Sequence, residues 1–231
     1  MNNLLKKLII IVALILCVIL IKKNIWKKNP AIHDPKQIEK IFLQIIYSSD
    51  TKISAETKKI LDACGVQKNL KMNGIIDENS HEYPHLLQQV MSHKTAKCYI
   101  KKISDQVGYG CFAAETIKAY ELVSEYTGLI KTSVTDTQYN WEIPLMFFYN
   151  NMPYSLYMDG KNYGNFMRFV NASKNPNIDV RYIFDKSGYP HVLYIANKNI
   201  IKGEQLLVSY GKKYWEQKDR KFVELNRFDV Y

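Results

Sequence analysis

The sequence has little cysteine and histidine, the side chains that most often build disulfides and transition-metal sites. Its 231 residues include four cysteines and five histidines. The cysteines are Cys17, Cys64, Cys98 and Cys111, with no C-x-x-C pair among them. A structural zinc site needs closely spaced ligands, and a disulfide-stapled domain needs many cysteines. The sequence therefore predicts no metal site and no disulfide framework, and a reducing compartment is the simplest interpretation.

Acidic residues are absent before Asp34, whereas six lysines precede that position. Without these lysines the formal net charge of the chain falls from +10 to +4. A nucleic-acid-binding domain usually carries a strong basic patch on its folded surface. The mild remaining excess therefore predicts no direct nucleic-acid binding, and the position of the lysines favours a membrane as the partner.

An uncharged apolar run of about 14 residues, from Leu8 to Ile21, lies between pairs of lysines. A spanning helix needs about 20 residues, but the flanking lysines can snorkel to the headgroups and Trp26 suits the interface. A cleavable signal peptide is the alternative, although no small-residue cleavage motif follows the run. We therefore expect residues 1–28 to be a single-pass membrane anchor. Two lysines precede the run and four follow it, which predicts a cytoplasmic location for the rest of the chain.

The region 29–95 has helical periodicity, with three apolar stretches and a helix-capping Ser54. The apolar positions are Ile38, Ile41, Phe42, Ile45, Ile46, Leu86, Leu87 and Val90. Two interpretations are open: a surface that recognises a substrate or partner, or a helical support packed on the next domain. After Lys94 the pattern changes to short β-type runs bounded by turn residues, which predicts a mostly β domain over 96–216 and a tail over 217–231.

Four short motifs occur in order within this β domain. They are Gly108 to Ala113 (GYGCFA), Glu125 to Gly128 (EYTG), Gly164 to Asn177 (GNFMRFVNASKNPN) and Ile200 to Gly211 (IIKGEQLLVSYG). Together they resemble the GxG, E-Y-x-G, GNxxRFxNHSCxPN and GEELxxDYG motifs of the SET-domain protein lysine methyltransferases. The resemblance covers about half of the chain. The cysteine clusters of the pre-SET and post-SET segments are absent, so the zinc-bearing subclasses are not matched.

The resemblance implies a mostly β SET domain with a knotted core, preceded by the helical segment and the transmembrane helix. It also implies S-adenosylmethionine as the cofactor and a lysine-bearing protein as the substrate, with histones as the family's usual targets. The implied cofactor-binding residues are Gly108, Tyr109, Gly110, Arg168, Asn171, Ala172, Tyr210 and Trp215. Glycine suits a close approach of backbone to ligand, and the guanidinium of Arg168 suits the cofactor carboxylate. The alternatives are a salt bridge from Arg168 to Glu204 and a hydrophobic plug at Trp215.

Two tyrosines carry the chemistry that the resemblance implies. Tyr210 corresponds to the catalytic tyrosine, and Tyr126 is expected to line the lysine channel. A lysine amine with a pKa of about 10.4 is protonated at neutral pH and is then a poor nucleophile. A narrow aromatic channel beside a sulfonium lowers that pKa by desolvation and by repulsion between like charges.

The sequence departs from the family pattern at three positions, Ala172, Lys174 and Ser209, where the family has His, Cys and Asp. These departures leave a second hypothesis open: an inactive SET-like module that binds a basic peptide at a membrane. A fourth position, Val208, stands where the family often has a Phe or Tyr that limits the number of methyl groups. A small residue there favours more than one methyl group, unless Tyr182 or Tyr194 fills the space.

Overall fold

The computed structural model describes residues 30–66, 82–135, 138–212 and Leu225. Three helices lie in the first part of this range: α1 (Pro35–Ile41), α2 (Ala55–Cys64) and α3 (Glu82–Met91). Each of the first two begins at a side-chain cap, because Asp34 accepts from the Lys36 amide and Ser54 accepts from the Thr57 amide. Helix α2 ends at Gly65, which has a left-handed conformation with φ of 57°.

None of the helices that the structure describes is long and apolar enough to cross a lipid bilayer. The anchor predicted for residues 1–28 lies outside the described residues.

Short strands make up most of the remaining structure, as the β-type runs predicted. They are β1 (Ile46–Tyr47), β2 (Lys52–Ile53), β3 (Cys98–Ser104), β4 (Gly108–Ala113), β5 (Leu122–Tyr126), β6 (Leu129–Lys131), β7 (Asn140–Tyr149), β8 (Met152–Asp159), β9 (Tyr163–Gly164), β10 (Asn171–Ala172), β11 (Ile178–Phe184), β12 (Pro190–Ala196) and β13 (Leu207–Val208). A single 3₁₀ turn, Phe166–Phe169, precedes β10. The strands form the antiparallel pair β3–β4, the parallel pair β1–β9, and sheets of order β2-β6-β8-β7 and β10-β13-β11-β12-β5.

The five-stranded sheet places β13, the last of the described strands, between two earlier ones. Strand β13 pairs in parallel with β10 on one side and with β11 on the other. Buried Asn177 fastens this insertion, since its amide donates to the Gln205 carbonyl (2.9 Å) and accepts from the Leu207 amide (2.8 Å). The third and fourth motifs are thereby brought side by side. The mostly β fold is confirmed, and the threading of a knotted core stays a prediction.

The helical region shares its hydrophobic core with the β domain. Ile38 of α1 and Ile60 of α2 are buried in the same cluster as Ile100 and Leu156. Helix α3 packs through Leu86 on a smaller cluster with strands β5, β11 and β12. The helices therefore act as a support for the β domain, which is one of the two interpretations that the sequence left open.

Helix α1 is shorter than the apolar periodicity predicted. The helix ends at Ile41, and Phe42 leaves the helical conformation with φ of −115° and ψ of 76°. The ring of Phe42 instead packs against the ring of Phe169, and Ile46 begins a strand that pairs with β9. Tertiary contacts thus override the local helical pattern after about two turns.

Candidate active site

A cavity of about 930 Å³, here called the large cavity, is lined by residues from three of the four motifs. These residues include Gly108, Tyr109, Arg168, Phe169, Asn171, Ala172 and Tyr210. Pockets that bind small molecules and cofactors have volumes of roughly 300–1,000 Å³. The predicted cofactor residues thus converge on a space of the size that a nucleoside-sized ligand requires.

The glycines of the first motif have different roles. Gly108 has φ of 80°, which glycine adopts without strain, and no atom lies within 4 Å of the place where a Cβ would stand. A Cβ on Gly110 would lie 2.6 Å from Ile103 Cδ1 and 2.8 Å from Gln205 Nε2. Gly108 lines the large cavity, whereas Gly110 is absent from its lining and serves the close packing of β4.

Asn171 connects the third motif to the first. Its side-chain amide donates a hydrogen bond of 3.0 Å to the Tyr109 carbonyl. Because β10 also pairs with β13, this bond holds the first, third and fourth motifs together around the large cavity.

Arg168 is buried on the wall of the large cavity. Its Nε donates to the Gly160 carbonyl (2.9 Å), its Nη2 donates to the Lys161 carbonyl (2.8 Å), and its guanidinium lies 4.4 Å from the centre of the Tyr139 ring. The alternative of an ion pair with Glu204 is wrong, since these backbone and ring contacts hold the guanidinium. Burial lowers the pKa of Arg168, because taking the cation out of water disfavours its charged form. An anionic ligand group in the cavity would offset that cost.

A second cavity of about 390 Å³, here called the aromatic channel, is lined mainly by rings. The rings belong to Tyr126, Tyr139, Trp141, Tyr157, Tyr182, Tyr194 and Tyr210. Gln138, Tyr139, Arg168 and Tyr210 line both cavities. The two cavities therefore meet, and Tyr210 stands at their junction.

The hydroxyl groups of both predicted catalytic tyrosines are fixed by backbone carbonyls. Tyr210 donates to the Val170 carbonyl at 2.7 Å, and Tyr126 donates to the Tyr139 carbonyl at 2.6 Å. Burial raises the pKa of Tyr126 and of Tyr194 above the ordinary value and raises the pKa of Tyr182 to about 12. These three phenols are therefore neutral at physiological pH, with lone pairs available to accept from an amine.

Trp141 is a channel residue that belongs to none of the four motifs. Its Nε1 donates to the Tyr194 hydroxyl at 2.9 Å, and its ring meets the rings of Tyr194 and Tyr210 edge-on, with centroids 6.2 Å away in each case. Trp141 reaches the channel because of where β7 packs in the folded protein, and no motif in the sequence marks this residue.

The sequence departures lie away from the channel. Ala172 lines the large cavity, Lys174 is exposed, and the exposed Ser209 accepts a hydrogen bond from the Gly211 amide at 3.3 Å. Val208 is buried in the hydrophobic core and lines neither cavity, whereas Tyr182 and Tyr194 line the channel. Trp215, predicted to stack on the cofactor, lies outside the described residues.

A buried ionic cluster lies behind the channel wall. The Glu125 carboxylate, next to Tyr126, is 2.9 Å from His191 Nδ1 and accepts a hydrogen bond from the Thr51 hydroxyl at 2.9 Å, while Asp185 lies 3.9 Å from His191 Nε2. Burial alone would lower the pKa of His191, but attraction to Asp185 and Glu125 outweighs it and raises the pKa to about 9. Within the described part of the chain, no three His, Cys, Asp or Glu side chains are grouped as metal ligands. The cluster is therefore a buried charge network that supports β5 and β12.

Comparison with known proteins matches residues 108–211 to the SET domain family. Mouse EHMT1, a histone-lysine N-methyltransferase, is 30% identical over 124 residues, which are 52% of this chain and 9% of that protein. The probable histone-lysine N-methyltransferase set-23 of Caenorhabditis elegans is 31% identical over 124 residues, which are 49% of this chain and 50% of that protein. The chain thus spans half or less of the length of these curated relatives. A crystal structure of KRYPTONITE in complex with mCHH DNA, an H3(1–15) peptide and SAH is 27% identical, with a TM-score of 0.40, over 47% of this chain and 22% of that one.

Proposed function

We propose that this chain, whose residues 108–211 match the SET domain family, is a member of that family and transfers a methyl group from S-adenosylmethionine to the side-chain amine of a protein lysine. The observation that carries the proposal is the meeting of the large cavity and the aromatic channel at Tyr210. Such a pair of connected spaces suits a cofactor on one side and a narrow substrate side chain on the other.

The large cavity offers the groups that this cofactor needs. When bound, S-adenosylmethionine supplies a methyl group on a sulfonium. Arg168 would hold the carboxylate of its methionine part, because a buried guanidinium on the cavity wall, whose hydrogen bonds go to the neutral carbonyls of Gly160 and Lys161, favours an anionic ligand. The backbone at Gly108 and Tyr109 would face the methionine part, and the backbone at Asn171 and Ala172 would face the adenine edge.

The aromatic channel would prepare the lysine amine for transfer. Its rings would take an entering lysine amine partly out of water, and this burial would disfavour the ammonium form and lower the pKa of the lysine. The neutral phenol of Tyr126 would accept a hydrogen bond from the lysine amine and so orient the lone pair of the amine nitrogen. The phenol of Tyr210 would align the amine where the two cavities meet. Direct displacement at a methyl group depends on such alignment more than on acid–base catalysis.

The test of this function is to incubate the full chain with radiolabelled cofactor and a panel of lysine-rich proteins. Transfer of label to lysine is the expected result, together with a binding isotherm for the cofactor in calorimetry. A folded chain that binds cofactor without any transfer would favour the inactive peptide-binding module, which the departures at Ala172, Lys174 and Ser209 keep open. Absence of both binding and transfer would end the proposal.

Histones are the first substrate class to examine, because the relatives named above are histone-lysine N-methyltransferases. Mass spectrometry of host proteins with and without this gene should reveal lysines whose mass differs by methyl increments. Increments only on proteins other than histones would overturn the histone assignment while leaving the reaction intact.

We further propose a membrane anchor in residues 1–28 with the SET domain on the cytoplasmic side. The proposal is supported by the apolar run from Leu8 to Ile21 and by the excess of lysines after it. In right-side-out vesicles the domain should resist added protease until detergent is present. Digestion of intact vesicles would refute the orientation.

A further inference from the structure

We propose that residues 41–45, which lie well before the SET-domain match, form a wall of the cofactor site and hold S-adenosylmethionine in the large cavity. This inference rests on the proposed function, since it takes the large cavity to be the cofactor site. The five residues, here called the α1 turn, all line that cavity together with Gly108, Tyr109 and Asn171.

The α1 turn has a defined conformation. The Phe42 amide donates to the Ile38 carbonyl at 2.7 Å, and the Ile45 amide donates to the Phe42 carbonyl at 2.8 Å. Ile38 and Ile45 are both buried in the main core. The helix that leads into the turn and the last residue of the turn are therefore held by the same hydrophobic core that supports the β domain.

The side chain of Phe42 packs against the first motif. Its ring meets the ring of Tyr109 edge-on with a centroid distance of 4.8 Å, and it lies 5.3 Å from the ring of Phe169. Both partners line the large cavity. Phe42 is thus a positioning residue, which acts on the cavity through Tyr109.

A second attachment follows the α1 turn directly. The Ile46 amide donates to the Asn162 carbonyl at 2.9 Å, and β1 pairs in parallel with β9. Lys161 and Asn162 are themselves lining residues of the large cavity. The turn is therefore attached on both sides to the structure that surrounds the cavity.

Two apolar side chains of the α1 turn remain in water. Ile41 is 48% exposed and Leu43 is 89% exposed, and both border the large cavity. Covering apolar surface of this kind stabilises a complex by an amount that grows with the area removed from water. A ligand with an adenosine ring system and an alkyl chain offers apolar surface that would cover both side chains. The α1 turn therefore supplies an apolar wall that the four motifs do not include.

The experiment compares the double variant Ile41→Ala/Leu43→Ala with a matched control, Met146→Ala/Ile201→Ala, in the full chain. The control removes similarly exposed apolar side chains, 64% and 52% exposed, that do not line the cavity. Calorimetric titration with S-adenosylhomocysteine, the demethylated product, should give a Kd about tenfold weaker for the double variant. The Kd of the control should equal that of the wild type. With turnover, the KM for the cofactor should rise while kcat and the KM for the lysine substrate change by less than about twofold, because the lost contacts bind the cofactor uniformly.

The outcomes separate the two proposals. If the wild-type chain binds no S-adenosylhomocysteine, the proposed function and this inference fail together. If the wild type and the double variant bind S-adenosylhomocysteine equally well, only the role of the α1 turn is overturned. The same conclusion follows if the KM for the lysine substrate rises and the KM for the cofactor does not. If the double variant has a lower melting temperature than the control, Leu43→Ala alone replaces it, because an 89% exposed side chain contributes little to folding.

Discussion

The large cavity and the aromatic channel share Tyr210 but differ in the groups that face them. The large cavity combines backbone of the motifs with the buried cation of Arg168 and the apolar α1 turn. The channel contains seven aromatic rings, and the hydroxyls of Tyr126 and Tyr210 donate to backbone carbonyls while that of Tyr194 accepts from Trp141. One space is suited to bind a large charged ligand, and the other is suited to restrict and desolvate a slender side chain. Binding and alignment are thus assigned to two spaces that share a wall of four residues, Gln138, Tyr139, Arg168 and Tyr210, and variants on and off that wall can test the assignment.

The largest effect should come from the residue at the junction. Tyr210→Phe removes the hydroxyl that is fixed on Val170, so we expect the transfer rate to fall by about a hundredfold or more, a typical cost for a lost alignment or proton-handling group. The Kd for S-adenosylhomocysteine should change little, since the ring remains. Tyr99→Phe, which lines neither cavity, serves as the control. Equal activity in the two variants would remove Tyr210 from the chemistry.

The ionic cluster behind the channel wall should make stability depend on pH. Because the folded-state pKa of His191 is raised to about 9, its stabilising contribution is complete below about pH 6.5 and is lost as the pH rises through about 9, a change on the order of 2–3 kcal/mol. The pKa of Asp185 is lowered by His191 and by backbone amides, although burial opposes this, so its contribution is lost as the pH falls below its unfolded value of about 3.9. Denaturant unfolding of the wild type and of His191→Gln between pH 6 and 10 measures this effect. A wild-type stability that stays level between pH 6.5 and pH 9 would contradict the raised pKa.

A smaller effect is expected for the cation of the large cavity. Arg168→Lys keeps the charge but loses the planar fork that donates to Gly160 and Lys161. We expect the Kd for S-adenosylhomocysteine to weaken about tenfold in calorimetry, and binding of a lysine peptide to change less, because the guanidinium forms only the shared edge of the channel. Arg181→Lys on β11, which lines neither cavity, is the matched control. Weakened peptide binding with intact cofactor binding would reverse the assignment of the two spaces.

A substitution in the channel wall should have the smallest effect on the transfer rate and the clearest effect on the number of methyl groups added to the lysine. Trp141→Phe removes the donor to the Tyr194 hydroxyl and reduces the ring that narrows the channel. We expect a shift toward lysines with more methyl groups and a change in kcat of only about twofold to fivefold. Val208→Ala, in the buried core outside the channel, should leave the product distribution unchanged. Mass spectrometry of a methylated peptide gives the distribution, and a shift in the Val208 variant alone would restore that position as the limiting one.

Features that depend on interactions between residues close in the sequence were predicted well, and features that depend on contacts between distant residues were not. The caps at Asp34 and Ser54 are local features, and both helices begin there. The position of Tyr126 and Tyr210 was predicted because motif residues keep their relation to the backbone that carries them. Helix α1 was predicted too long, since its end depends on contacts of Phe42 with residues far along the chain. The alternative of an ion pair between Arg168 and Glu204 fails because the carbonyls of Gly160 and Lys161 hold the guanidinium elsewhere.

The order and spacing of the four motifs, read from the sequence by itself, predicted the resemblance to the SET-domain family and the identity of the motif residues around Tyr210. Only the tertiary structure decided which other side chains complete the two spaces: the α1 turn on the large cavity, and Trp141 with Tyr194 in the channel. The physical reason is that these contacts join residues distant in the chain and depend on how the sheets and α1 pack. Packing of that kind is a property of the whole core, and no local pattern of residue types encodes it.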